Sequence, residues 1–199
     1  MFDRADLEAL TELVADAWTR GADRDWSVPA GTLEWSCTKT ADHAVDCVFA
    51  PAFFLASRKT HGYPEMGADW SSGPNATPAQ IVEALRIASR VLAAVVADAD
   101  SSVRAVIFRR PTVVTAPPAD FLPRGALELV LHAHDVCQGL GVEFEPPAGL
   151  CEHLIEHAAD WPWVAIGWSK PSSGTTNPWA ELLSASGRAR RKNKLLSHP

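Results

Sequence analysis

Three polar side chains in otherwise apolar segments, His43, Glu128 and His132, are the residues of this chain best suited to chemistry. Glu128 and His132 are four positions apart, so on a helix they project from one face, one turn from each other. A carboxylate and an imidazole are costly to bury unless they are paired or bound to a metal. Two histidines and a carboxylate also form a common ligand set for a catalytic divalent metal with an open position. The sequence therefore predicts a metal site here, provided that the fold brings His43 to the other two.

Other interpretations of these residues stay open. A Glu-x-x-x-His pair is common by chance, and most such pairs are weak surface contacts. His153 and His157 have the same spacing, but acidic neighbours make a partly solvated helix face the simpler interpretation. His43 and Cys47 are also four positions apart, so Cys47 offers a thiolate as a further ligand.

The elements that must position these groups are helices. Hydrophobic periodicity predicts four long amphipathic helices, over residues 3–19, 36–58, 77–99 and 123–139. Thr77 and Gln80 form a capping-box pattern, and Pro51 is expected to kink the second helix or end its first half. Shorter helices are predicted over 148–160 and 177–187. Residues 103–114 alternate weakly, which is compatible with an extended segment but does not require a strand. This pattern predicts an all-α helical bundle, with His43 on its second helix and Glu128 and His132 on its fourth.

The composition narrows the class of protein. The chain has 199 residues, 47% hydrophobic and 21% charged, which is ordinary for one soluble domain. The net charge of -6 gives no basic face for nucleic acid, and no apolar run is long enough for a bilayer. The N-terminus does not resemble a signal peptide, so we expect a cytoplasmic protein whose four cysteines are reduced. The eight tryptophans are expected mainly as core or interface anchors.

Three stretches of the chain together resemble a known family. Residues 29–43 contain a proline and small residues, then Trp-Ser, a short polar turn and a helical segment that carries His43. Residues 128–135 contain Glu-x-x-x-His followed by a turn that ends in Asp135, and residues 179–188 match the C-terminal pattern of related actinobacterial proteins. In this order they resemble the DinB-like metal-binding superfamily. The resemblance is greatest to the branch that contains the mycothiol-dependent maleylpyruvate isomerase.

The resemblance implies a DinB-like four-helix bundle with short additional C-terminal helices. It implies a single domain over residues 1–187. The basic residues within 188–199 by themselves predict a flexible, solvated tail after this domain. The resemblance also implies a divalent metal, usually zinc, whose ligands are His43, Glu128 and His132, with Asp135 supporting a ligand without binding the metal itself. Mycothiol is the thiol cosubstrate that it implies.

The function predicted from these features is that of a metal-dependent thiol enzyme. The metal would activate a thiol toward a small electrophilic metabolite, in a mycothiol-type S-transferase or isomerase. The alternatives are a metal-binding or small-ligand-binding helical protein without catalysis, and a metal-free helical protein that acts through partner contacts. Asp46, Tyr63, His134 and Asp135 are the candidate acids and bases, and no position is established for them. The expected partners are a small-molecule substrate and, as an open possibility, a second copy of the chain in a homodimer.

Overall fold

The computed structural model describes residues 1–64 and 76–188. The described chain is mostly helical, as the sequence predicts, with two short strands. Its long helices are α1 (Arg4–Arg20), α2 (Cys37–Ser57), α3 (Pro78–Asp98) and α4 (Phe121–Leu140). The strands β1 (Ala105–Phe108) and β2 (Val114–Ala116) lie between α3 and α4, and α5 (Ala148–His157) and α6 (Pro178–Ala185) follow. None of the described helices combines the length and the apolar character that a membrane span requires.

Contacts divide the chain into two compact units, one over Phe2–Glu145 and the other from Pro146 onward. A single domain over residues 1–187 stays a prediction. The basic tail also stays a prediction, because residues 189–199 lie outside the described part of the chain.

The ends of the long helices follow local sequence signals. Ser36 begins α2 by accepting a hydrogen bond from the backbone N–H of Lys39, and α2 then continues through Pro51. Thr77 and Gln80 form the predicted capping box at the start of α3. At the other end of the first unit, Gly141 terminates α4 with a left-handed backbone (φ 66°), where glycine has no steric penalty.

The core of the first unit lies among its four long helices. α2 packs against both α3 and α4, and α1 packs against the same two helices. The largest side chains in this core are fully buried: Leu7, Leu10, Trp18, Leu55, Ile81, Leu85, Leu92, Phe121, Leu127, Leu129 and Leu131. Burial of this apolar surface is the main source of stability of the unit.

The two strands form an antiparallel hairpin in the weakly alternating segment. Ala105 pairs with Ala116, Val106 with Thr115, and Phe108 with Val114 across an irregular step. All four residues of β1 are buried, and β1 packs against α2. The hairpin is short, and it places the ring of Phe108 beside the side chain of Arg124 on α4.

The second unit is built around tryptophan. Trp163 is only 2% exposed, and its indole N–H donates a hydrogen bond to the Ala158 carbonyl over 2.8 Å. The rings of Trp161 and Trp168 lie 6.3 and 6.0 Å from that of Trp163. Packing between α5 and α6 completes the described part of this unit. Trp163 and Trp179 are buried, as expected of core anchors, whereas Trp161 and Trp168 are half-buried.

Two of the four cysteines, Cys37 and Cys137, are thiols buried in the first unit, and their burial lowers their expected reactivity. Burial and, secondarily, the Asp25 carboxylate raise the pKa of Cys37 to about 11, and burial raises that of Cys137 to about 12. At pH 8 the thiolate fraction of a group with a pKa of about 11 is on the order of one in a thousand. We therefore expect iodoacetamide to leave Cys37 and Cys137 unlabelled in the native protein and to label them in urea, as peptide mass spectrometry would show. Rapid native labelling of either would contradict the described packing.

Candidate functional site

The three predicted ligands meet in the first unit although they are far apart in sequence. α2 carries His43 and α4 carries Glu128 and His132. The rings of His43 and His132 lie 5.0 Å apart at an angle of 74°, and His132 Nε2 is 3.6 Å from Glu128 Oε2. The side chains of His132 and Glu128 are 14% and 18% exposed. The fold thus brings the three side chains into one cluster, and metal binding by this cluster stays a prediction.

A close approach of α2 and α4 brings these side chains together. Gly125 lies on α4 one turn before Glu128, and a Cβ built at this position would be 3.3 Å from Val48 Cα and 3.5 Å from the Cys47 carbonyl oxygen. Because a glycine has no side chain there, the backbones of the two helices can approach closely. This contact is one helical turn from His43, and it sets the spacing across the site.

Arg124 lies in the candidate site, although the sequence interpretation did not include it. Its Nη1 donates to Glu128 Oε1 over 2.7 Å, and the Arg124 side chain is only 21% exposed. Its guanidinium carbon also lies 5.2 Å from the ring centre of Phe108. The i,i+4 spacing of Arg124 and Glu128 on one helix was a signal that could have identified the pair.

Electrostatics keep Glu128 charged. Burial alone would raise the pKa of its carboxyl group, but the Arg124 guanidinium opposes that effect by charge and hydrogen bonding. With smaller contributions from His132 and His43, the pKa of Glu128 falls below its ordinary value. The residue is therefore a carboxylate at neutral pH, the form that binds cations.

His43 contacts two neighbours besides His132. Its Nε2 is 3.4 Å from Cys47 Sγ, and its ring lies edge-on to Trp35 with 5.2 Å between ring centres. Burial, aided by the charge of His132, lowers the pKa of His43 and so favours the neutral imidazole. Burial, aided by Glu128, raises the pKa of the Cys47 thiol well above its usual range, so this thiol is protonated and able to donate to the imidazole.

Asp135 lies where the resemblance would place a supporting carboxylate. Its side chain is buried, and Oδ2 is 3.4 Å from His132 Nδ1, on the opposite side of the imidazole from Glu128. The separation is long, and His132 Nδ1 makes no hydrogen bond within the described residues. A carboxylate at Nδ1 favours the tautomer that leaves the Nε2 lone pair available. That Asp135 orients His132 in this way stays a prediction.

The other candidate acids and bases lie in different surroundings. Asp46 is exposed, and His134 is half-buried two positions after His132. The Tyr63 hydroxyl donates to the Ile107 carbonyl over 3.0 Å, and burial raises its pKa. Tyr63 therefore uses its proton in a contact with β1.

The donor set agrees in chemistry with a divalent metal. Two imidazole nitrogens and a carboxylate oxygen suit zinc, and ligand atoms around tetrahedral zinc are about 3.3–3.4 Å apart. The 3.6 Å between His132 Nε2 and Glu128 Oε2 is close to that spacing. His43 Nε2 instead faces Cys47 Sγ. In the described part of the chain, no group of three or more histidine, cysteine, aspartate or glutamate side chains is placed so that it could hold a metal ion.

Two cavities of the first unit lie away from these residues. One, of about 350 Å³, opens between α1 and α3 beside Thr11, Arg86 and Ser89. The other, of about 410 Å³, lies at the C-terminal ends of α2 and α3, beside Leu55 and Arg58. Neither cavity is lined by His43, Glu128 or His132, so the two do not belong to the candidate site.

Comparison of the chain with models of protein families, with curated proteins and with solved structures gave no match. The residues of the candidate site and the resemblance of the sequence motifs are therefore the basis for inferring a function.

Proposed function

We propose that this chain is a divalent-metal-dependent thiol enzyme of the DinB-like type, acting on a small electrophilic metabolite. The observation that carries the proposal is the convergence of His43, Glu128 and His132 from two helices into one largely buried cluster. Burying an imidazole or a carboxylate is costly unless the group is paired or bound to a metal. A bound zinc ion is the partner that their chemistry suits best.

Each residue of the cluster would have its own role in binding the metal. His43 and His132 would supply imidazole nitrogens, and Glu128 would supply its Oε2 oxygen. Asp135 would orient His132 from the far side of its ring. When bound, the metal would supply the acidity that converts a thiol into a thiolate at neutral pH.

Two reactions fit an activated thiol. In an S-transferase, sulfur forms a bond to an electrophilic carbon as the leaving group departs with its electron pair. In a cis–trans isomerase, sulfur adds to an activated double bond, the resulting single bond rotates, and the same thiolate is expelled. Mycothiol is the thiol that the sequence resemblance implies, and both reactions remain within the proposal.

A second candidate function is binding of a small ligand, with or without metal, and without catalysis. The observation that favours it is that Glu128 already has a partner, because Arg124 pairs with it at 2.7 Å. His43 likewise already contacts Cys47 at 3.4 Å. Such a protein would bind its ligand in the same region and would consume no thiol.

A thiol-consumption assay separates the two candidates. The zinc-loaded protein would be mixed with mycothiol and the electrophile 1-chloro-2,4-dinitrobenzene, and maleylpyruvate isomerisation would be followed in parallel. We expect at least one reaction to run above the protein-free rate and to stop after chelation or in the His132→Ala variant. Turnover that persists in metal-free protein would contradict the metal-dependent mechanism, and no turnover on either substrate would favour ligand binding.

A further inference from the structure

We propose that Arg124 is a positioning residue that fixes how Glu128 meets a divalent cation, and that Phe108 holds Arg124 in place. The inference rests on the proposed function, since it concerns the same cation site. It also assigns a role to β1, which carries Phe108, whereas the sequence motifs and the helical pattern assign it none.

The first step is the ion pair itself. Arg124 Nη1 lies 2.7 Å from Glu128 Oε1, and the two side chains are 21% and 18% exposed. An exposed pair with this spacing adds little, but partial burial excludes competing water and strengthens the contact. Arg124 thus binds one oxygen of the Glu128 carboxylate. The other oxygen, Oε2, faces His132 and lies 3.6 Å from its Nε2.

The second step is the support of the guanidinium. Its central carbon lies 5.2 Å from the ring centre of Phe108, within the range of a cation–π contact. Phe108 is 3% exposed at the end of β1, so its ring is fixed by packing. Arg124 Nε is buried and makes no hydrogen bond among the described residues, so the hydrogen bond to Glu128 and the ring contact hold the guanidinium.

A competing explanation makes the opposite prediction. If Arg124 acted only as a nearby positive charge, it would repel a cation, and its removal would tighten cation binding. If it positions Glu128, its removal releases the carboxylate and weakens binding. Partners that orient metal ligands contribute about 10- to 100-fold in affinity.

The test is the Zn²⁺ affinity of the full chain, measured by competition with a chromophoric chelator. We expect Arg124→Met, which removes both donor and charge, to weaken binding by about 10- to 100-fold. Arg124→Lys keeps a charged donor but loses the flat guanidinium, so we expect a smaller loss. Phe108→Leu should weaken binding by about two- to fivefold.

The control is Arg86→Gln, which breaks the exposed 2.7 Å ion pair with Glu12 and should leave the affinity unchanged. Circular dichroism melting checks that each variant is folded at the temperature of the titration. Unchanged or tighter binding by folded Arg124→Met would overturn the positioning role while leaving the metal site intact. Absence of Zn²⁺ binding by the wild-type protein would instead refute the proposed function, and this inference with it.

Discussion

Alanine at His132 should weaken Zn²⁺ binding by more than about 100-fold, because even residues that only orient a ligand contribute 10- to 100-fold. The imidazole lies at the centre of the cluster, 3.6 Å from Glu128 Oε2 and 3.4 Å from Asp135 Oδ2. No neighbouring nitrogen on α4 occupies the same position, since His134 projects from a different side of the helix. The measurement is a competition titration with a chromophoric chelator at fixed pH.

The matching variants are His43→Ala and Glu128→Gln, each of which removes one proposed donor. Both should lower the affinity in the same way, and Glu128→Gln does so with almost no change in shape. His61→Ala is the control, because His61 is exposed and outside the cluster. An affinity that depends on His132 but not on His43 would exclude His43 as a ligand, and Cys47, 3.4 Å from His43 Nε2, would become the better candidate.

Alanine at Gly139 should destabilise the first unit by about 1–3 kcal/mol, the usual effect of overpacking. A Cβ at this position would lie 2.5 Å from the Pro29 carbonyl oxygen and 2.6 Å from Cys37 Sγ, closer than real contacts allow. Neither neighbour moves easily, since one is backbone and Cys37 is fully buried. The higher helix propensity of alanine offsets at most about 1 kcal/mol of this loss. Urea unfolding at equilibrium measures the difference.

Gly149→Ala is the matched control. Gly149 also lies in a helix, α5, but a Cβ built there meets nothing within 4 Å. Its substitution should therefore be neutral or should stabilise the protein slightly through helix propensity. Equal effects of the two substitutions would contradict the close packing of α4 against the segment that contains Pro29.

The helices were predictable because local signals and the hydrophobic pattern agree. The capping box of Thr77 and Gln80, the Ser36 cap and the terminating Gly141 each act within one turn of the chain. The stripe of Glu128, His132 and Asp135 was likewise visible from helical spacing. Pro51 does not end the first half of α2, because the helix continues through it to Ser57.

The rest of the site depends on long-range packing. Nothing near Phe108 in the sequence indicates that its ring will meet Arg124, because that contact forms only when β1 packs in the first unit. The contact of His43 with Trp35 follows from the turn before α2 and has no periodic pattern. Arg124 itself could have been identified from the sequence, since its spacing to Glu128 is the same as that of Glu128 to His132. An ion pair of this kind is usually a surface feature, and only burial distinguishes it.

The most direct test of the metal site is elemental analysis of the full chain, purified without a metal-affinity tag, beside the His132→Ala variant. The proposal predicts about one equivalent of zinc or another divalent metal per wild-type chain, and little in the variant. Absence of metal from both proteins, with no uptake after addition of Zn²⁺, would contradict the proposal. The cluster of His43, Glu128 and His132 would then be a set of mutually satisfied side chains in a helical binding protein.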